Sequence, residues 1–168
     1  LRRGILIKTL RFEDDGGRRS SIEERRFVSM RNMHLAALEL KLTPENWSGR
    51  VTIHSGIEGR VRNTGAKLYR KFNNKHLDVS VGKVLDEGVY LQVRTSQSNL
   101  HVAQAALTRP ILDEEPLEVE RRTIEEPGYI GEEFTVDLEE GRTLSLEKVA
   151  SLYTSRDRAT AECGLEAR

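Results

Sequence analysis

Apolar and polar residues alternate with a period of two along most of this chain, the pattern of strands that bury one face. From Gly4 to Phe12, Leu6, Leu10 and Phe12 share one parity with Lys8, while Ile5 and Ile7 take the other. Asp14-Asp15-Gly16-Gly17 supplies a turn, because glycine reaches positive φ without steric cost, and Ser20 to Met30 resumes an extended reading. These two segments predict a hairpin. Leu35 to Leu42 alternates cleanly, and the turn Thr43 to Gly49 leads into Arg50 to Ile57, where Val51, Ile53 and Ser55 share a face.

Arg60 to Lys75 is polar, holds Gly65 and Asn73-Asn74, and reads as a long surface loop. Strands are predicted again at Leu77 to Val84, Val89 to Arg94 and Leu100 to Leu107. Pro110 and Pro116 bracket what reads as an acidic loop, followed by strands at Leu117 to Ile124 and Ile130 to Leu138 with a Glu125-Glu126-Pro127-Gly128 turn between them. Thr143 to Ser155 fits either a helical face (Leu146, Val149, Leu152, Tyr153) or an interrupted strand. Many short strands joined by frequent turns, without a crossover helix, predict one all-β domain, an antiparallel β-sandwich.

Composition narrows the partners. The 168 residues carry 27 Lys plus Arg and 27 Asp plus Glu, so the formal net charge is zero. Nucleic acids and anionic membranes select a positive excess, so neither is an expected partner. No apolar run approaches the roughly 20 residues of a membrane helix. Cys163 is the only cysteine, which excludes an internal disulfide, and the expected location is cytoplasmic. Leu1 is not methionine and the last residues carry no terminating feature, so both ends read as cut.

The search for chemistry yields little. Glycoside cleavage needs two carboxyl groups roughly 5 to 10 Å apart converging on one bond. The adjacent pairs Asp14-Asp15, Glu23-Glu24, Glu114-Glu115, Glu125-Glu126, Glu132-Glu133 and Glu139-Glu140 point to opposite faces wherever they lie in strands, and read as solvated turn and edge residues. Arginine doublets at 2–3, 18–19, 25–26 and 121–122 sit near acids and read as surface ion pairs. His34 and His54 flank strands, and His76 and His101 have no triad partner in sequence. No Gly-rich phosphate loop or metal-ligand spacing is present. Trp47, the single tryptophan, reads as a plug at one end of the sandwich or as a sugar-stacking platform.

One ordered set of segments carries more information. Arg26 to Met30, His34 to Leu38 and Leu42-Thr43-Pro44-Glu45-Asn46-Trp47-Ser48-Gly49 come first. Val61-Arg62-Asn63, Leu91 to Ser98, Ala103-Gln104-Ala105, Glu147-Lys148-Val149 and Tyr153-Thr154-Ser155-Arg156-Asp157 follow in order. Together they resemble the N-terminal domain of glycoside hydrolase family 65, which contains maltose, trehalose, kojibiose and nigerose phosphorylases and some hydrolases.

The resemblance implies a large antiparallel sandwich of the galactose-mutarotase-like supersandwich kind, with little helix. It implies a helical linker to an (α/α)6 barrel that carries the catalytic glutamate. Phosphorolysis in that family inverts the anomeric centre, with inorganic phosphate as co-substrate attacking in place of water, so the resemblance implies no metal and no organic cofactor. The implied partners are that barrel, a glucose disaccharide and a second copy in a homodimer. Residues 1–157 would be the sandwich and 158–168 the start of the linker, with the barrel outside the chain. The resemblance favours a strand at Thr143 to Thr154, and it carries over no catalytic residue.

Candidate carbohydrate-binding or interdomain positions, taken from the resembling segments, are Asn46, Trp47, His34 and Arg156. The leading expectation is therefore a scaffold and interface domain of a disaccharide phosphorylase or glucosidase, inactive by itself. A carbohydrate-binding module would use Trp47 with Tyr69 or Tyr90, and a free-standing sandwich would mediate assembly. A sandwich lacking its first strands would also leave an edge and an apolar patch open and would tend to self-associate.

Overall fold

The computed structural model describes residues 4–62, 75–157 and 162–168. Alternating strands dominate it, as the period-two pattern requires. They are β1 (Ile5–Glu13), β2 (Arg19–Val28), β3 (Leu35–Pro44), β4 (Gly49–Glu58), β5 (Leu77–Val84) and β6 (Val89–Thr95). They continue with β7 (His101–Leu112), β8 (Glu115–Pro116), β9 (Arg122–Glu126), β10 (Tyr129–Leu138) and β11 (Leu144–Thr154), and α1 (Cys163–Ala167) is a short helix.

The strands form an eight-stranded sheet ordered β1-β2-β3-β11-β7-β6-β5, with β8 paired to β7, and a three-stranded sheet ordered β4-β10-β9. The pairings β1–β2, β2–β3, β5–β6, β6–β7 and β7–β8 are all antiparallel. The hairpin predicted at the start is β1–β2, closed by Gly17 at φ +77. The ambiguous segment after Thr143 is strand β11, inserted between β3 and β7.

By contacts the chain divides into two compact units. The first holds residues 1–55, 107–122 and 133–150. Its core is Phe134, Val136, Leu138, Leu144 and Leu146, with Leu40, Leu42, Val51, Ile53, Leu112, Leu117 and Val119 packed around them. These residues come from β3, β7 and β11 of the large sheet and β4 and β10 of the small one, so the two sheets face each other across an apolar layer. Fully burying each such side chain contributes about 1.5–3 kcal/mol.

The second unit holds residues 56–106, 123–132 and 151–168. Its core cluster is Tyr90, Ala103, Ala105, Cys163 and Ala167, with Leu85 and Tyr153 against it. Here β6 is buried on both faces: Tyr90 points to α1, while Leu91 meets the close-packed backbone at Gly59. That explains the unbroken apolar run Val89-Tyr90-Leu91, which alternation alone does not produce.

Several sequence readings change. Pro110 lies inside β7 and is buried, because its fixed φ suits a strand, and the expected acidic loop shrinks to Asp113 and Glu114 at φ 48 and 73. The strand expected at Leu117 to Ile124 begins only at Arg122. Leu117 and Val119 alternate into the core without belonging to a named strand, since alternation reports which side chains are buried and not whether a ladder forms. Glu125 and Glu126 belong to β9, and the turn is Pro127-Gly128, with Gly128 at φ +87. The long loop read at Arg60 to Lys75 falls mostly outside the described residues, of which Arg62 and Lys75 form an isolated bridge.

Candidate functional site

Asn46 and Trp47 sit in the turn between β3 and β4, and both are spent on fastening that turn to the β1–β2 turn. Asn46 Oδ1 accepts from the Arg19 amide at 2.6 Å, and its Nδ2 donates to the Gly17 carbonyl at 3.0 Å. The Trp47 Nε1–H donates to the Arg19 carbonyl and the buried Ser20 Oγ, each at 3.0 Å. The Glu45 amide donates to the same Arg19 carbonyl at 2.8 Å, and Arg11 reaches the Glu45 carboxylate at 2.6 Å. Arg18 covers the indole at 5.8 Å from the ring centroid. The half-buried ring thus closes one end of the first unit, with its polar edge satisfied and a guanidinium over a face. Across the turn, Asp14 accepts from the Arg18 and Gly16 amides and the Arg18 side chain, which hold its carboxyl below the usual range.

His34 precedes β3, half-buried, with its amide donating to Asn32 Oδ1 at 3.0 Å. Ten strand residues separate it from Asn46, roughly 30 Å of extended chain, so no common site joins them. Arg156 lies in the second unit, exposed, in a turn that ends β11. Its amide donates to Thr154 Oγ1 at 3.3 Å, Asp157 accepts from the Thr154 amide, and Ser155 exchanges hydrogen bonds with His101. His34 and the Asn46-Trp47 turn therefore lie at opposite ends of β3. Tyr90 is 1% exposed, with its hydroxyl donating to Gln92 Oε1 at 2.6 Å, so it is core and no sugar platform. Tyr69 lies outside the described residues.

The paired acids divide as a pleated strand demands. Glu133 faces outward and accepts from Arg122 of β9 at 2.7 Å and from His54 Nε2 of β4 at 2.8 Å, so one carboxylate clasps all three strands of the small sheet. Glu132, its neighbour, is 6% exposed, which corrects the reading of that pair as solvated. Glu132 shares parity with Ile130, Phe134, Val136 and Leu138, so the alternation of the strand already set it on the inward face. Glu126 borders a cleft of about 540 Å³ with Glu125, Leu91 and Tyr129, and is held by Arg60 at 2.9 Å. Arg60 also grips Glu58 at 2.8 Å and keeps its carboxyl below the ordinary range, so both acids are committed ion-pair partners. Among the described residues, no group of three or more His, Cys, Asp or Glu could hold a metal ion.

A second concavity among the described residues is apolar, and sequence reasoning did not locate it. Register places Leu6, Arg26 and Leu38 in one row, Leu10, Ile22 and Leu42 in another, and Val28 beside Ala36, all on the face that carries Leu40 and Leu42 into the core. The opposite face of the same strands carries ion pairs, with Arg25–Glu23 at 2.7 Å, Arg25–Glu39 at 3.7 Å and Lys41–Glu39 at 3.4 Å, beside the exposed Ile5, Ile7 and Phe27, while the core-side face itself holds the Arg26–Glu24 pair at 3.2 Å. At the open end of the apolar face, Leu6, Val28, Ala36 and Leu38 line a groove of about 740 Å³ with Gly4 and Ala150.

The fold is thus a two-sheet antiparallel sandwich with a short helix at Cys163–Ala167. The sequence profile of "Glycosyl hydrolase family 65, N-terminal domain" matches residues 1–168, and the chain belongs to this family as its N-terminal domain. It is 37% identical over its whole length to an uncharacterized glycosyl hydrolase of Mycobacterium tuberculosis (strain ATCC 25618 / H37Rv), covering 13% of that protein. It is 32% identical over 162 residues to kojibiose phosphorylase of Thermoanaerobacter brockii, covering 94% of this chain and 21% of that one. A solved structure described as "Putative kojibiose phosphorylase from human microbiome" superposes with a TM-score of 0.77 at 10% identity, over 95% of this chain and 19% of that one, which shows the shared fold. The chain spans between 13% and 21% of the length of the curated relatives it matches. Among the described residues, no helix is long and apolar enough to cross a membrane.

Proposed function

We propose that this chain is the non-catalytic scaffold domain of a longer cytoplasmic polypeptide that cleaves a glucose disaccharide by inverting phosphorolysis. Kojibiose is the first substrate to test, with trehalose and maltose after it. The catalytic part, an (α/α)6 barrel, lies outside residues 1–168, and the segment from 158, including α1, begins the link to it. Inorganic phosphate is the co-substrate. The observation that carries this reading is the asymmetry of coverage: 94% of this chain matches a kojibiose phosphorylase of which it accounts for only 21%.

The geometry supports the non-catalytic half of the reading. Asn46 and Trp47 are engaged in turn-to-turn hydrogen bonds, and Glu58, Glu126 and Glu133 in ion pairs. A general acid needs a carboxyl that carries a proton near neutrality, whereas the Arg60 guanidinium holds the Glu58 carboxyl below its ordinary range, toward the charged form. The parent polypeptide is expected to release glucose 1-phosphate from kojibiose and phosphate, and residues 1–168 alone to release none. Release by residues 1–168, or kojibiose cleavage by the parent that yields only free glucose, would overturn the corresponding half.

A further inference from the structure

Helix α1 rests on Tyr90, Ala103 and Ala105, and polar groups fasten it there. Ser151 Oγ donates to the Ala167 carbonyl, and the Tyr90 hydroxyl sits so close to Gly164 that a Cβ there would strike it. The Arg168 guanidinium lies 4.8 Å from the Tyr90 ring centroid. Burial raises the phenol's pKa, and Arg168, donating to its oxygen, opposes that rise. The hydroxyl in turn donates to Gln92 Oε1 at 2.6 Å, and Gln92 Nε2 meets His101 Nδ1 at 3.0 Å. Register puts these side chains on one face, with Tyr90 opposite Ala105, Gln92 opposite Ala103 and Arg94 opposite His101. The direction of this hydrogen-bond chain follows from its chemistry. Oε1 can only accept, so it takes the Tyr90 hydrogen, and the amide nitrogen can only donate, so His101 Nδ1 must offer its lone pair. Tyr90 is 1% exposed, whereas His101, at the other end, is half-buried.

We propose that these bonds form a pH-sensitive latch on α1: a proton on His101 reverses their direction and loosens the helix. A protonated imidazole carries hydrogens on both nitrogens, so Nδ1–H and the Gln92 amide become two donors face to face. Turning the amide over restores that contact, because Oε1 then accepts from Nδ1–H. It also aims Nε2 at the Tyr90 oxygen, which already receives Arg168, and takes away the acceptor of the phenol hydrogen. Tyr90 is too deeply buried for water to serve instead, so the unmatched donor destabilises the docked state of α1. The neighbouring elements each offer His101 both signs of charge. Asp78 of β5 and Arg94 of β6 share its cross-strand row, Arg156 and Asp157 lie in the turn after β11, and Glu162 and Arg168 flank α1. No cluster of one sign therefore fixes the state of the imidazole. Tyr153 and Cys163 are the remaining titratable groups of this core, and burial favours the neutral thiol of Cys163.

The reporter is Cys163, buried in the core beneath α1 and the only cysteine of the 168 residues. Its alkylation rate is read in the full polypeptide from the mass of its own peptide. Dividing the rate in urea by the rate in the folded protein at the same pH gives a protection factor free of the thiol's own titration. An imidazole changes charge between about pH 5 and 8. Across that range protection should fall about tenfold on acidification, the weight of one unmatched buried donor. His101→Asn sets an amide oxygen near the place of Nδ1 and cannot titrate, so it should keep its protection throughout. Gln92→Glu offers oxygens to both the Tyr90 hydroxyl and a protonated His101, and should cancel or reverse the acid loss. Wild-type protection that ignores pH overturns the inference. So does an equal acid loss in His101→Asn, which assigns the loss to general acid unfolding, or an undiminished one in Gln92→Glu. The latch lies within residues 56–106 and 151–168 and does not rest on the proposed function.

Discussion

In the first unit the core is made of large side chains, Phe134, Val136, Leu138, Leu144 and Leu146, meeting between two sheets. In the second, Ala103, Ala105, Cys163 and Ala167 gather around one large ring, Tyr90, beneath a five-residue helix. Strand β7 serves both, sending Leu112 to the first core and Ala103 and Ala105 to the second. Stacked sheets stand about 10 Å apart and need bulky residues to fill the space between them. A helix resting directly on strands needs small ones. At Gly164, an added Cβ would run into the Tyr90 hydroxyl and come within 2.9 Å of Gln92 Oε1. The first core should therefore suffer from lost volume and the second from added volume.

The largest effect should come from Phe134→Ala, which removes a ring that is 2% exposed and leaves a cavity between the sheets. A loss of about 3–5 kcal/mol is expected in urea unfolding. Gly164→Ala should cost about 1–3 kcal/mol by overpacking, and limited proteolysis should find α1 released from Tyr90. If Gly164→Ala is neutral while Phe134→Ala is costly, the contrast between the cores fails at the helix. Gly56→Ala sharpens the same point away from the helix. Its Cβ would press on the Tyr129 hydroxyl and lie 2.6 Å from the Ile130 carbonyl, so the second unit should lose stability there too.

Surface ties should matter less than either core. Trp47→Phe keeps the ring but removes the donor to Arg19 and Ser20, and should cost about 1 kcal/mol by thermal or urea unfolding. The smallest effect is expected at Asp113, whose carboxyl is held below its ordinary value by the Arg142 side chain and the Thr143 amide. Because the folded value is lowered, its contribution is present above the unfolded carboxylate value near about pH 4 and fades as pH falls through the folded one. Asp113→Asn should narrow the gap between unfolding midpoints at neutral and strongly acid pH; an unchanged gap would remove this carboxylate from the account.

Strand positions were largely legible in the residues because alternation and turn chemistry are local properties. Asp14 to Gly17 announces the β1–β2 turn, and Gly88 and Gly141, both at positive φ, stand in turns before strands. The misreadings cluster at Pro110 to Arg121, where apolar residues alternate beside a packed core without a named strand for part of the run. For the candidate positions, the ordered motifs pointed to residues that matter, but not to what they do. Asn46-Trp47 and Thr154-Ser155-Arg156-Asp157 are turn devices whose partners at Gly17, Arg19, Ser20 and His101 lie tens of residues away.

By itself, the sequence determined an all-β chain, the places where most strands and turns fall, and membership of a family through motifs kept in order. Tertiary structure alone decided that β11 inserts between β3 and β7, that Glu133 clasps three strands, and that Leu6, Leu10, Phe12 and Val28 of β1 and β2 stay exposed. The physical reason is that a period of two says a strand has a buried side without saying against what. Many pairings satisfy the same alternation, and only the assembled sheets show which apolar rows find a partner.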